Sequence, residues 1–158
     1  MANVESRELG AAVFAEAAIN ALRDTGLTIG QVSSEDSISP AEDDVVVILN
    51  VGGSWHGAVA MRINSRACEA LAESLFGRPP KSDEERAEAM MEAANVATGR
   101  GVAALGSASP AAVWLTPPLC VKGLRVSTRL HNTKTSCHSF ALGEGQVTIV
   151  FAAAEKEI

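Results

Sequence analysis

The sequence lacks three features that would indicate particular classes of protein: an excess of basic residues, paired cysteines and a long apolar run. Its formal net charge of -6 argues against a general nucleic-acid binder, because such binding needs concentrated Lys and Arg to release counterions from phosphates. No segment reaches the ~18 apolar residues that a membrane span needs, and no basic stretch followed by an apolar one opens the chain. We therefore expect a soluble, cytoplasmic protein, with protein partners rather than nucleic acid or membrane.

The three cysteines, Cys68, Cys120 and Cys137, are far apart and show no C-x-x-C spacing. Neither a disulfide framework nor a zinc site is indicated by this arrangement. Cys137 is followed by His138, but adjacent residues of a strand face opposite sides, and no third ligand is evident. The acidic residues within 35–44 lack the spacing of an EF-hand. We predict reduced thiols, with Cys137 in the core beside an exposed His138, and no metal site.

The length of 158 residues and the 47% hydrophobic content predict a single domain, residues 1–158, with one core. Apolar periodicity and turn residues predict a series of elements: a helix over 6–23, a polar loop over 33–44, strands over 45–51 and 57–63, helices over 66–76 and from 82 to about 99–106, strands over 112–115, 119–130, 136–142 and 146–152, and a polar tail over 154–158. This order is typical of an α+β fold, in which helices pack on an antiparallel sheet.

Local signals mark the ends of the predicted helices. In the first helix, Leu9, Phe14 and Leu22 are among the apolar residues expected to face the core. We predict Ser65 as the N-cap of the second helix and Gly77 as its end. The third helix is predicted to begin with a capping box, in which Ser82 is followed three residues later by Glu85.

A polar stripe on the third helix is the best candidate for a functional site. Glu88, Glu92, Asn95 and Gly99 follow one another at steps of four, three and four residues, so they point the same way at about 100° per residue. The opposite face is apolar and small, as packing on a sheet requires: Ala89, Met90, Ala93, Ala94 and Ala97. Glu-x-x-Asn is also a common pattern on solvated helices, so the stripe alone does not define a function.

The spacing around this stripe resembles the signature of the CheC/CheX/FliY phosphatases, which act on the chemotaxis response regulator. Glu92 and Asn95 are separated by two residues, and 22 residues lie between Asn95 and Pro118, as in that family. The family has Asp or Ser four residues before the Glu, where this chain has Glu88. The resemblance covers roughly residues 5–155, and the single Glu-x-x-Asn element is similar to the arrangement in CheX.

The resemblance implies a CheX-like fold and hydrolysis of the aspartyl phosphate on a CheY-type response regulator. In this scheme the catalytic residues are Asn95, which orients the attacking water, and Glu92, which engages a lysine of the regulator. Glu88 is a docking residue, while Gly99 and Pro118 are structural positions, for packing or a turn, near the site. The chain needs no cofactor of its own, because the regulator supplies Mg²⁺. A homodimer is also implied.

Two alternatives remain open at this point. The departure at Glu88 is compatible with a non-catalytic binding module of the same fold, which docks or sequesters a signalling protein. An oligomeric domain that binds a small molecule is supported only by the glycine-rich segment 52–56. That segment lacks the lysine and the following helix of a phosphate-binding loop.

Overall fold

A computed structural model of the chain describes residues 2–34, 44–108, 113–122 and 135–156. Within these ranges the elements, in chain order, are α1 (Ala2–Arg23), β1 (Ile29–Ser34), β2 (Val45–Gly53), β3 (Trp55–Ile63), α2 (Ser65–Phe76), α3 (Asp83–Ala108), β4 (Val113–Leu115), β5 (Leu119–Lys122), β6 (Ser136–Leu142) and β7 (Gly145–Glu155). None of the helices in the described ranges combines the length and the apolar character needed to cross a membrane.

The strands form one antiparallel sheet in the order β1-β6-β7-β3-β2-β4, with β5 also paired to β2. The predicted α+β architecture is therefore confirmed. Both predicted hairpins are present, as β2–β3 and β6–β7. The β2–β3 turn is tighter than expected, because Gly53 and Trp55 already belong to the strands. Gly53 takes up the reversal with φ 96°, a value that glycine adopts readily.

Two of the predicted polar segments have wrong boundaries. Strand β1 was not predicted, and it includes Ser33 and Ser34, which were assigned to the loop. At the other end of that loop, Asp44 is buried and pairs with Arg62 at 3.3 Å. The polar tail begins too early, because β7 continues to Glu155 along β3 and Ala154 is buried. Residues 35–43, together with the predicted strand beyond Lys122, lie outside the described residues.

Helices α1 and α3 pack against each other and against one face of the sheet. Phe14 of α1 lies on Phe151 of β7, with ring centroids 5.0 Å apart, and Leu22 is buried as predicted. Leu9 was predicted to face the core but is 67% exposed. The buried position is its neighbour Gly10, where a Cβ atom would lie 2.3 Å from the Trp55 ring.

Helix α2 begins one residue earlier than predicted, with Asn64 rather than Ser65 as its N-cap. The Asn64 side-chain oxygen accepts the Ala67 N–H at 3.1 Å and also the Gln146 N–H at 2.9 Å. It therefore joins the start of α2 to the β6–β7 hairpin. The predicted end of the helix is confirmed at Gly77, which has φ 71°.

Candidate functional site on helix α3

The N-terminus of α3 is fixed by a cluster of hydrogen bonds. Ser82 Oγ accepts the Glu85 N–H at 3.1 Å, as the predicted capping box requires. The Glu85 carboxylate does not complete the capping box by accepting the Ser82 backbone N–H. It accepts two hydrogen bonds from Arg78 instead, at 2.8 and 2.9 Å, and one from the Lys81 N–H at 2.7 Å. The Arg78 hydrogen bonds, followed by that of Lys81, lower the pKa of Glu85 to about 2. Arg86 then ties the first turn to Glu69 of α2 at 3.0 Å.

The inward face of α3 is the apolar face predicted from the sequence. All five of its predicted residues are buried: Ala89, Met90, Ala93, Ala94 and Ala97. They pack on α1 and α2 as well as on the sheet. Further along, a Cβ atom at Gly101 would lie 2.5 Å from the Phe14 ring, so this glycine permits the close approach of α1. This packing sets the rotation of α3 and therefore the direction of its outer face.

The structure brings the predicted stripe together on that outer face. Glu88, Glu92, Asn95 and Gly99 are all exposed. From Glu88 to Gly99 the helix geometry gives a strip about 16 Å long, within an arc of about 60°. Glu84, which the sequence reasoning missed, is also exposed and extends the strip by one turn. The four-residue spacing between Glu84 and Glu88 could have predicted that Glu84 belongs to the same stripe.

The outer face is negatively charged and its hydrogen-bonding groups are available. Glu84, Glu88 and Glu92 are four residues apart, a spacing at which like charges destabilise a helix by roughly 0.2–0.5 kcal/mol per pair. In the part of the chain that the structure describes, none of these carboxylates forms an ion pair. The Asn95 side-chain amide likewise has no hydrogen-bond partner among the described residues. The face can therefore offer a carboxylate and an amide to an external molecule.

Gly99 does not have the predicted role of a packing or turn position. The helix continues through it to Ala108, and within the described structure a Cβ atom at Gly99 would meet nothing within 4 Å. Gly99 is exposed on the outer face, whereas Gly101 is buried against Phe14.

Pro118 lies in the break between β4 and β5, where both strands pair with β2. Leu115 pairs with Val51, and Leu119 pairs with Ile48. The chain advances four residues from Leu115 to Leu119 but only three along β2, so this segment contains one extra residue. Pro117 and Pro118 have no N–H to donate to β2, which accounts for the bulge. Strands β4 and β5 both contact α3.

The other candidate residues do not form a reactive site. Cys137 and His138 are both half-buried, so the expectation of a core thiol beside an exposed imidazole is wrong for each residue. Burial lowers the pKa of His138. Burial raises the pKa of the Cys68 thiol to about 12, which keeps it protonated and unreactive at neutral pH. Cys68 and Cys120 line a cleft of about 390 Å³ near the start of α3; Glu84 also borders this cleft, whereas Glu88, Glu92 and Asn95 are not among its lining residues.

The glycine-rich hairpin serves packing rather than ligand binding. A Cβ atom at Gly52 would lie 2.2 Å from the Trp114 ring, and one at Gly57 would lie 2.1 Å from the Ala152 carbonyl oxygen. Both glycines are covered by other parts of the protein. The segment therefore does not form an open cradle for a phosphate.

The fold places the chain in a class of α+β domains whose solved structures include several chemotaxis proteins. A chain of the CheX-CheY-BeF3-Mg²⁺ complex from Borrelia burgdorferi is 21% identical, with a TM-score of 0.73 over 91% of this chain and 97% of that chain. CheX from Desulfovibrio desulfuricans is 18% identical, with a TM-score of 0.75 over 93% and 99% of the two chains. FliY from Thermotoga maritima is 14% identical, with a TM-score of 0.61 over 89% and 84%.

The family model of the chemotaxis phosphatase CheX matches residues 45–141, which is more than half of the chain. The chain therefore belongs to the CheX family, and the resemblance noted in the sequence is confirmed. The matched segment includes Glu92, Asn95 and Pro118. No curated protein matches the chain.

Proposed function

We propose that this protein accelerates hydrolysis of the aspartyl phosphate on a CheY-type response regulator. The observation that carries the proposal is the pair Glu92 and Asn95, exposed one helical turn apart on a firmly anchored helix of a CheX-family chain. The Borrelia burgdorferi structure with the same fold is a CheX-CheY-BeF3-Mg²⁺ complex. By analogy, the partner of this chain is a regulator that carries its own Mg²⁺.

The phosphatase itself need contribute few groups to the reaction. A water molecule attacks phosphorus in line, the bond between phosphorus and the aspartyl oxygen breaks, and inorganic phosphate and a free carboxylate result. Because the transition state of phosphoryl transfer is loose, catalysis rests on positioning and charge stabilisation rather than on a strong base. The Asn95 amide, whose hydrogen bonds are not used within the described structure, would accept a hydrogen bond from this water and orient it.

Glu92 would fix the orientation of the complex. Its carboxylate lies on a face where Glu84 and Glu88 add to the negative potential, and a lysine of the regulator would be attracted to it. A charge-assisted hydrogen bond between this lysine and Glu92 would hold the helix in register, so that Asn95 lies beside the phosphorus. Glu88 would contribute to docking, one turn further from the reacting atoms.

Loss of phosphate from a phosphorylated CheY-type regulator tests the proposal. The wild-type protein should accelerate this loss, and Asn95→Ala should remove about 100-fold of the acceleration, because an unpositioned water reacts far more slowly. Asn20→Ala is a matched control, since Asn20 is also an exposed helical asparagine but lies on α1. Glu92→Gln should weaken regulator binding about tenfold. Equal rates with wild type and Asn95→Ala would refute the mechanism.

A non-catalytic binding module is the second candidate, and Glu88 favours it. Glu is one methylene longer than the Asp of the family pattern, which can displace a contact at the rim of the interface. Under this alternative the wild-type protein binds the regulator without accelerating phosphate loss, and Glu88→Asp restores acceleration. Acceleration by the wild-type protein would exclude this alternative.

We further propose that the protein acts in the cytoplasm as a homodimer. Trp114 and Leu119 are 56% and 60% exposed. They pair with Gly52 and Ile48 of β2, and these positions lie on the same face of the strand, opposite the face formed by Val47, Leu49 and Val51. Large apolar side chains on the outer strands of a sheet are suited to contact a second copy.

A further inference from the structure

Gly99 lies in the interior of a long helix, and no contact in the described ranges explains a glycine there. It lies far from both ends of α3, where glycine destabilises a helix relative to alanine. Gly101, two residues later, is required by contact with Phe14, and Gly106 lies in the last turn, where the helix is least demanding. Among the described residues, nothing lies within 4 Å of a Cβ atom built at Gly99. No contact within the described residues therefore requires a glycine at this position.

The position of Gly99 on the outer face suggests a reason for the glycine. Gly99 is one turn beyond Asn95, about 6 Å along the helix axis. Before Asn95 the face carries the long, flexible side chains of Glu88 and Glu92, which can move aside or pair with a partner. After Asn95 the face drops to the bare backbone at Gly99. Asn95 thus stands between the carboxylates of Glu88 and Glu92 and the recess left by the missing side chain at Gly99.

The reach of asparagine makes this recess important. Only one methylene separates the amide of Asn95 from the backbone, so the helix itself must come close to any atom that the amide contacts. A side chain one turn away on the same face would hold the partner at a distance, since residues four apart are neighbours on a helix surface. Of the two neighbours of Asn95 on the stripe, Glu92 and Gly99, the second has no side chain.

We propose that Gly99 is a positioning residue for the regulator: its missing side chain lets the regulator's surface approach the α3 backbone closely enough for Asn95 to enter the phosphorylation site. This inference rests on the proposed function. The occupant is the regulator rather than a second copy of the chain, because the recess adjoins Asn95, and the Glu92 carboxylate on the other side of Asn95 forms no ion pair with any described residue. The apolar side chains exposed for self-association, Trp114 and Leu119, lie on the far face of the sheet.

The test compares Gly99→Ala and Gly99→Gln with Gly106→Gln, which adds the same side chain about 10 Å further along the helix. A Cβ atom at Gly106 also meets nothing within 4 Å in the described structure. Gly99→Ala should raise the Tm by about 2–4 °C, through helix propensity alone. With a CheY-type regulator loaded with beryllofluoride and Mg²⁺, Gly99→Gln should raise the Kd at least tenfold, with Gly99→Ala intermediate. Gly106→Gln should bind as the wild-type protein does.

Kinetics separates positioning from structural damage. Gly99→Gln should raise the KM for the phosphorylated regulator, whereas kcat at saturating regulator should change much less than in Asn95→Ala. A variant that is more stable than wild type and yet binds more weakly would support the inference. If the wild-type protein is active and depends on Asn95, but Gly99→Gln has wild-type Kd and KM, the inference fails and the proposed function stands. A wild-type protein that neither binds nor accelerates would overturn both.

Discussion

Replacing Asn64 with alanine should destabilise the fold measurably, because one side-chain oxygen satisfies two backbone donors. It accepts the Ala67 N–H at 3.1 Å, as the N-cap of α2, and the Gln146 N–H at 2.9 Å. Loss of an N-cap residue costs about 1 kcal/mol, and loss of one further hydrogen bond about 1 kcal/mol. The free energy of unfolding should therefore fall by about 2 kcal/mol. For a domain of this size, the Tm should fall by about 4–8 °C.

Urea unfolding followed by circular dichroism measures this change. Asn64→Asp is the matched control, because its carboxylate can accept both hydrogen bonds and aspartate caps helices as well as asparagine does; it should remain within about 0.5 kcal/mol of wild type. An Asn64→Ala variant as stable as the wild-type protein would refute the reasoning. So would an Asp variant as unstable as the Ala variant, since the acceptor would then be irrelevant.

Two further predictions concern pH and self-association. Hydrogen bonds from Arg78 and Lys81 lower the pKa of Glu85 to about 2. The ionised Glu85 therefore stabilises the fold above the ordinary carboxyl pKa, and this stabilisation is lost as the pH falls toward 2. Between pH 5 and pH 2, the free energy of unfolding should fall less for Glu85→Gln than for the wild-type protein, and equal decreases would contradict this. Light scattering should give the mass of a dimer for the wild-type protein and that of a monomer for Leu119→Glu. Leu75→Glu, at an exposed apolar position of α2, should leave the dimer intact. A monomeric wild-type protein would refute the proposed dimer.

The parts of the fold that the sequence predicted are those with strong local signals. Alternating apolar residues and glycine turns identified both hairpins, and Gly77 identified the end of α2. Strand β1 was missed because its sequence, IGQVSS, has only two strongly apolar residues, and its pairing with β6 joins segments about a hundred residues apart. The end of β7 was missed because Ala-Ala-Ala-Glu favours helices; in the described structure, pairing with the neighbouring β3 holds it extended.

The N-cap of α2 shows the same limit at a single residue. Asn64 and Ser65 are adjacent, and both belong to the residue types that cap helices. What selects Asn64 is its extended backbone, with φ -74° and ψ 168°, together with the bond from the Gln146 N–H, 82 residues away. Local preference could narrow the choice to two residues, but the long-range contact decided between them.

The sequence could predict that the stripe on α3 faces outward, but it could not predict which of its acidic residues are free of ion pairs within the described structure. Periodicity placed Glu88, Glu92 and Asn95 on one face, and the small apolar residues opposite them turned that face outward. The first turns of α3 also contain Asp83 and Glu85, which the structure shows in ion pairs with Arg86 and Arg78. Which acidic residues are paired depends on the path of the chain through the α2–α3 connection, and composition gives no guide to it.

The outer face of α3 departs from what helix stability alone would favour. A merely solvated face gains from alternating charges four residues apart, whereas Glu84, Glu88 and Glu92 repeat one charge and Gly99 interrupts the helix interior. Local rules are broken in this way mainly at functional sites. Docking alone would account for the carboxylates and the recess. The amide of Asn95, exposed between them without a hydrogen-bond partner in the described structure, is the group that the proposed orientation of water requires.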